Sequence, residues 1–269
     1  NVSVQKKENS MTNNLQLLRE KSPLIHCITN YVAMNIAANT LLASGASPAM
    51  IHTPEETADF VRVCGALTVN IGTISPSWFD GMKNAVMSAK ESKVPWVFDP
   101  VAHFATPYRS QSAQELLMMD PTILRGNASE ILGLGGELSD ARGVDSTDPV
   151  EAAMKVAKLI ADKHKSVVIV TGECDFITDG SKEARVRGGS KLMAQVTAIG
   201  CSLTCLIGAF ASITNPFDAG ISALKLFAEA GDRAEKLAEG PGSFSVNFLD
   251  QLSKISPSDF DKCEWVDKN

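Results

Sequence analysis

The run Val196-Thr-Ala-Ile-Gly200-Cys201 leads straight into Ser202–Phe210, a long apolar stretch of helical character. A small-residue turn entering a helix leaves free N–H groups at Ala198 to Cys201, at the positive end of the helix dipole. Such a terminus can bind an anion or steady developing negative charge. Cys201, in the first turn, is expected to have its thiol pKa lowered toward thiolate, fit to serve as base or nucleophile. The residues alone favour the plainer reading, a small buried cysteine capping an apolar helix. In Arg125-Gly-Asn-Ala-Ser-Glu130, the arginine offers a fixed fork of donors suited to phosphate. Asn127 and Glu130 are three apart, hence on one helical face, where they could position hydrated Mg²⁺ or form an ordinary helix-start pair. Asp99 ends the apolar run Val94–Phe98 and precedes Pro100, as a carboxylate for a metal or a reacting hydroxyl, or as a turn aspartate. Thr171-Gly172 can bond a phosphate or end a strand. Asn30, Val32 and Met34 either line a pocket or belong to a core helix over Tyr31–Ser44, and Met50 is by default core filler.

These residues share a position: each follows an apolar, β-branched run. Strands are expected at Leu24–Ile28, Ala66–Ile71, Pro95–Phe98, Thr122–Leu124, Ser166–Val170, Asp175–Thr178 and Ala184–Arg187. Between them lie helical patterns with legible starts. Thr53-Pro54, Ser75-Pro76, Asp148-Pro149 and Asn215-Pro216 each set a capping side chain before a first-turn proline, and Thr53-x-x-Glu56 fits a capping box. The alternation predicts an α/β fold, a mainly parallel central sheet flanked by helices on both faces, with ligands beyond the carboxyl ends of the strands. Residues 1–22 read as an N-terminal arm and first helix, 23–255 as a single domain, and 256–269 as a polar, frayed C-terminal tail. Gly133–Thr147 reads as a surface loop, and His164 as a surface residue near a helix C-terminus.

At 269 residues the chain can bury a full core without metal or disulfides. Its 25 basic against 31 acidic residues give a net charge of −6, no footprint for nucleic acid or an anionic membrane, and at first sight a poor match to a nucleotide. The six cysteines are scattered, without metal-ligand spacing, as expected of thiols in a reducing compartment. The polar N-terminal residues lack a signal-peptide core, so a cytoplasmic location is expected. There is no P-loop and no nucleophile elbow, and Gly133-Leu-Gly-Gly136 lacks the third glycine of a dinucleotide fingerprint.

In order along the chain, Pro23–Asn30, Ala38–Met50, Asn70-Ile-Gly-Thr73, Asp99-Pro100, Ala105–Arg109, Arg125–Glu130, Val170–Glu173, Thr178-Asp-Gly180 and Gly240–Phe244 resemble the hydroxyethylthiazole kinases, ribokinase-like enzymes of thiamine salvage. The resemblance implies Mg²⁺-dependent transfer of the ATP γ-phosphate to the hydroxyl of 4-methyl-5-(2-hydroxyethyl)thiazole by a homotrimer with sites at subunit boundaries. It implies ATP contacts at Arg125, Thr171 and Gly200, and substrate contacts at Asn30, Val32, Met50, Gly72, Thr73 and Ala198. It also puts Asp99 and Glu130 near the metal, the latter through water, and Cys201 facing the hydroxyl to orient or deprotonate it.

The chain departs from the pattern at Ala198, where a glycine is usual and positive φ becomes doubtful, at Gln195 in place of a lysine, and at the bulky Ala102-His103-Phe104. His103 is a candidate phosphate or substrate contact, or else faces solvent. Together these changes suggest a divergent, eukaryotic-type branch. The alternatives are a ribokinase-like kinase for another hydroxyalkyl heterocycle, such as a pyrimidine, or a catalytically weak thiazole- or nucleotide-binding protein.

Overall fold

In the computed structural model, residues 14–136, 149–262 and 265–268 are described. The apolar runs become strands: β1 Leu24–Ile28, β2 Ser47–Ala49, β3 Ala66–Asn70, β4 Trp96–Asp99, β5 Ile123–Asn127, β6 Val167–Thr171, β7 Cys174–Thr178, β8 Glu183–Arg187 and β9 Trp265–Lys268. They form one nine-stranded sheet in the order β2-β1-β3-β4-β5-β6-β7-β8-β9. The first six are parallel, and β7 to β9 extend the sheet as antiparallel neighbours.

Because side chains alternate across a strand, each run feeds two cores. In β4, Val97 faces one layer while Trp96 and Phe98 face the other; in β6, Ile169 opposes Val168 and Val170 in the same way. The first layer holds the helix over 14–21 (α1), α2 Met34–Ser44, α8 Ile199–Ala211, α9 Pro216–Glu235 and α10 Pro241–Lys254. The second holds α3 Thr57–Val61, α4 Pro76–Ser92, α5 Pro107–Leu117, α6 Ala128–Leu134 and α7 Pro149–His164. Leu15 and Leu18 of α1 are wholly buried in the first core, and Arg19 donates to the carbonyls of Ile255 and Leu252 at 2.7 and 3.1 Å. No helix among the described residues is long and apolar enough to cross a membrane.

Ser75 and Asn215 cap α4 and α9 through the N–H three residues on, each with proline in the first turn, as their sequence pattern predicts. Thr53 does not cap. Its carbonyl closes a turn with Glu56 and Thr57, and α3 starts one residue after Glu56 without a side-chain cap. β2, three residues with a central proline, carries no strand pattern, and the expected polar tail supplies β9, which pairs with β8. His164 is buried, with Nδ1 3.0 Å from Asp120 Oδ1, rather than on the surface. Gly133 belongs to α6, and the remainder of the expected loop from 137 onward, with Asp148, lies outside the described residues.

Helix α8 is nearly all apolar because it crosses directly over the sheet. At Gly208 the approach is so close that a Cβ would lie 2.4 Å from Thr68 Cγ2 of β3. Overpacking of this kind costs about 1–3 kcal/mol. Gly208→Ala is therefore expected to lower the melting temperature by several degrees, at roughly 2–4 °C per kcal/mol for a chain of this size. An unchanged thermal melt would contradict the close crossing.

Candidate active site

The chemistry-bearing residues collect along the carboxyl ends of β1, β3, β4, β5 and β6, facing the N-terminus of α8. At their centre is Asp99, wholly buried at the end of β4. Its Oδ2 accepts from Thr204 Oγ1 at 2.7 Å, Asn70 Nδ2 at 3.0 Å and Arg125 Nη1 at 3.3 Å. Its Oδ1 is buried without a partner. Burial pushes the carboxyl up to about 6, against the pull of the Arg125 guanidinium, with the Glu130 charge adding to the rise.

From Asp99 the network runs both ways. Arg125 Nη2 donates to Thr171 Oγ1 at 2.7 Å. Its guanidinium lies against the start of α8, where a Cβ on Gly200 would come within 3.0 Å of Nη2, so a glycine there lets the cation sit beside the helix terminus. On the other side, Asn70 Oδ1 accepts from Asn30 Nδ2 at 2.8 Å and from the Gly72 amide at 2.9 Å. Asn30 Nδ2 also reaches Cys201 Sγ at 3.6 Å. Asn30 Oδ1 accepts from the Val32 and Ala33 amides, and Thr73 Oγ1 from the Tyr31 amide, which fixes the entry to α2.

Next to Arg125 and Thr171 lies a cavity of about 180 Å³, walled by Met193, Ile199, Leu203, Leu224 and Phe227. Asp175 opens onto it, accepts from the Gly172 amide at 2.9 Å and is pushed up to about 6 by burial. The site thus has an apolar slot, a cation and a hydroxyl at its mouth, a helix terminus, and a buried carboxylate.

Several expectations change. Cys201 lies in the first turn of α8, yet its thiol is pushed up to about 11, first by burial and then by the Asp99 charge. A helix terminus is worth about 0.3–1 kcal/mol at such a distance, less than the desolvation of a thiolate, so the thiol stays neutral at physiological pH. Ala198 does adopt the left-handed region, at φ 58°, so the turn survives without glycine. His103 is buried rather than solvent-facing, its Nε2 2.9 Å from the Glu130 carbonyl, and it reaches no pocket-lining site residue by hydrogen bond.

Glu130 takes the helix-start role. Oε2 accepts from the Asn127 amide at 2.8 Å and Oε1 from the Ala102 amide at 3.0 Å, while Asn127 Oδ1 answers the Glu130 amide at 3.0 Å. No group of three or more His, Cys, Asp or Glu among the described residues is placed to hold a metal ion. Met50 packs against the first core, and Val32 is 55% exposed, so neither side chain joins the polar network, although the Val32 amide does.

Asn70 and Arg109 stand in the matching stretches without an assigned role, and Thr204 and Asp175 stand outside the sequence-predicted site. Asn70 ends a fully buried strand, and Thr204 lies three residues after Cys201 on the same helical face, which are the signals that could have found them.

The pattern of the Hydroxyethylthiazole kinase family matches residues 15–258. A hydroxyethylthiazole kinase of Gemmatimonas aurantiaca is 58% identical over 255 residues, 95% of this chain and 92% of the relative. The chain belongs to the hydroxyethylthiazole kinase family. The solved structure of a hydroxyethylthiazole kinase protein from Pyrococcus horikoshii OT3 superimposes with a TM-score of 0.90 at 36% identity, covering 97% of this chain and all of that one. A ribokinase-like superfamily protein from Enterococcus faecalis shares the fold alone, with a TM-score of 0.64 at 12% identity over 91% of this chain and 89% of its own. The fold is thus the α/β, ribokinase-like one expected. High identity to a bacterial relative leaves the divergent, eukaryotic-type reading without support.

The neutral Cys201 thiol can be tested directly. Iodoacetamide is expected to label Cys201 at pH 7.5 roughly two orders of magnitude more slowly than a free thiol titrating near ~8.5. The rate should still be climbing at pH 9. Peptide mass spectrometry showing a plateau below pH 9 would overturn the assignment.

Proposed function

We propose that this chain transfers the γ-phosphate of ATP to the hydroxyl of 4-methyl-5-(2-hydroxyethyl)thiazole. The observation that carries the reading is the Asn30–Asn70–Asp99–Arg125–Thr171 chain, set against the α8 terminus and beside an apolar slot. Phosphoryl transfer through a loose transition state needs positioning and charge neutralisation more than covalent help. Arg125 and Thr171 bind the polyphosphate, and the amides of Ala198 to Cys201 receive the transferring group. Asn30, Gly72 and Thr73 shape the acceptor side, with Met50 and Val32 contacting the thiazole at its edge. Cys201 orients the hydroxyl as a thiol, and the burial that pushes it up to about 11 disfavours it as a base.

The residues fit Mg²⁺ at one point, the buried and unpartnered Asp99 Oδ1, whereas both Glu130 oxygens are already taken by amides. Asp99 would hold the ion, with Glu130 acting through solvent and its charge. Bound Mg²⁺ would neutralise charge on the phosphate oxygens. The reading includes a homotrimer in the cytoplasm. Supporting it are Tyr31 and Val32, 67% and 55% exposed beside the acceptor loop, and the free state of Cys27, Cys64, Cys174, Cys201 and Cys205. The alternative of a weak binder rested on Ala198 and Gln195, and the left-handed turn kept at Ala198 removes its main ground.

ADP release with ATP, the thiazole alcohol and Mg²⁺ is the expected result, with loss of turnover on chelation and little turnover of a hydroxymethylpyrimidine. A folded protein releasing no ADP would overturn the reading. Arg125→Lys keeps a charge near Asp99 but loses the fork, and is expected to raise the KM for ATP about tenfold, on the scale of one charge-assisted hydrogen bond. An unaltered ATP dependence would remove Arg125 from the nucleotide side.

A further inference from the structure

Arg109 lies in the first turn of α5, its amide bonded to Thr106 Oγ1 at 3.3 Å. Among the described residues its guanidinium makes no side-chain hydrogen bond and spends its donors on three backbone carbonyls. Nε donates to Ala102 O at 3.1 Å, Nη1 to Gly72 O at 2.9 Å, and Nη2 to Val101 O. Two of these belong to the turn after β4 and the third to the turn after β3. A rigid fork can hold three acceptors in fixed relation, which an ammonium cannot.

Both turns need holding. Ala102 sits in the left-handed region at φ 46°, a conformation that costs an L-residue of order 1–3 kcal/mol and persists only when its neighbours impose it. Its N–H is fixed by Glu130 Oε1 and its carbonyl by Arg109. Gly72 is gripped the same way, its N–H by Asn70 Oδ1 and its carbonyl by Arg109. A side chain there would meet Asn30 Nδ2 at 2.5 Å, so the Gly72 peptide lies directly against the acceptor-side asparagine.

We propose that Arg109 is the positioning residue of the acceptor half of the site, stapling the Gly72–Thr73 turn to the turn that follows Asp99. It acts through backbone carbonyls and does not touch substrate. Arg125 and Thr171, on the nucleotide side, share no direct hydrogen bond with Arg109 and are joined to it only at a distance, through Gly72, Asn70 and Asp99. Its loss should therefore separate the two substrates. Displacements of about 1 Å at a reacting centre are enough to cost on the order of a hundredfold in rate.

The assignment rests on the thiazole kinase reading, so the wild type is assayed in parallel, with both substrates varied. Arg109→Lys, which can meet one carbonyl but not three, is expected to raise the KM for the thiazole alcohol about tenfold while the KM for ATP stays within about twofold. Arg109→Ala is expected to show a larger defect, partly restored by millimolar guanidinium and not by methylammonium. Equal changes in both KM values, or an unchanged thiazole KM in Arg109→Lys, would overturn the assignment while leaving the functional reading intact. A wild type that does not phosphorylate the thiazole alcohol would overturn both.

Discussion

A carboxylate with no access to water sits at the middle of the sheet edge, and the site is arranged around keeping it there. Removing an ion from water costs several kcal/mol, recovered only through close, well-directed partners. Asp99 finds them on three different elements: Asn70 from β3, Arg125 from β5 and Thr204 from α8. The need to satisfy one buried group thus fixes how the helix terminus stands over the strands. Truncating a partner of such a pair leaves an uncompensated buried charge, a change of about 3–5 kcal/mol in comparable cases. The same constraint leaves Oδ1 buried without a hydrogen-bond partner.

Around that centre, small residues decide distances. Gly208 lets α8 press on Thr68, Gly200 admits the Arg125 guanidinium, and Gly72 admits Asn30. Each exchanges side-chain packing for backbone approach, and the result is a pocket in which amides, cation and carboxylate converge. The net charge of −6 is no obstacle to ATP in such an arrangement. Affinity for a polyphosphate is set by charges within a few ångströms, as a cation such as Arg125 and a helix terminus would supply in the proposed reading, and screening shortens the reach of everything farther away.

Much of this was legible beforehand because strand runs and their carboxyl-end residues are local patterns. Asn30, Asp99, Arg125 and Thr171 could be picked out simply as the residues that follow β-branched runs. The partners that make them a site could not. Asn70 is 40 positions from Asn30, Thr204 is 105 from Asp99, and Arg109 is 37 from Gly72. No spacing rule links residues that meet only when parallel strands are ordered by crossovers. Where two local patterns competed, as at Asn127 and Glu130, geometry chose the capping box, because both carboxylate oxygens found amides within 3.0 Å. At Thr53 the opposite occurred: a good capping pattern lost to a turn that brings His52 under Gly81, where a Cβ would meet the His52 carbonyl at 2.3 Å.

Sequence alone determined the alternation of strands and helices, the residues at the strand ends and the small-residue turn into α8, since each follows from periodicity, capping and steric size within a few neighbours. Tertiary structure decided the upward shift of the Cys201 thiol, the hydrogen-bond partners of Glu130 and His103, and the joining of loops by Arg109. Burial and electrostatics depend on what lies across the fold. A thiol at a helix terminus is activated in water-exposed surroundings, but burial, and then a neighbouring carboxylate, push it the other way.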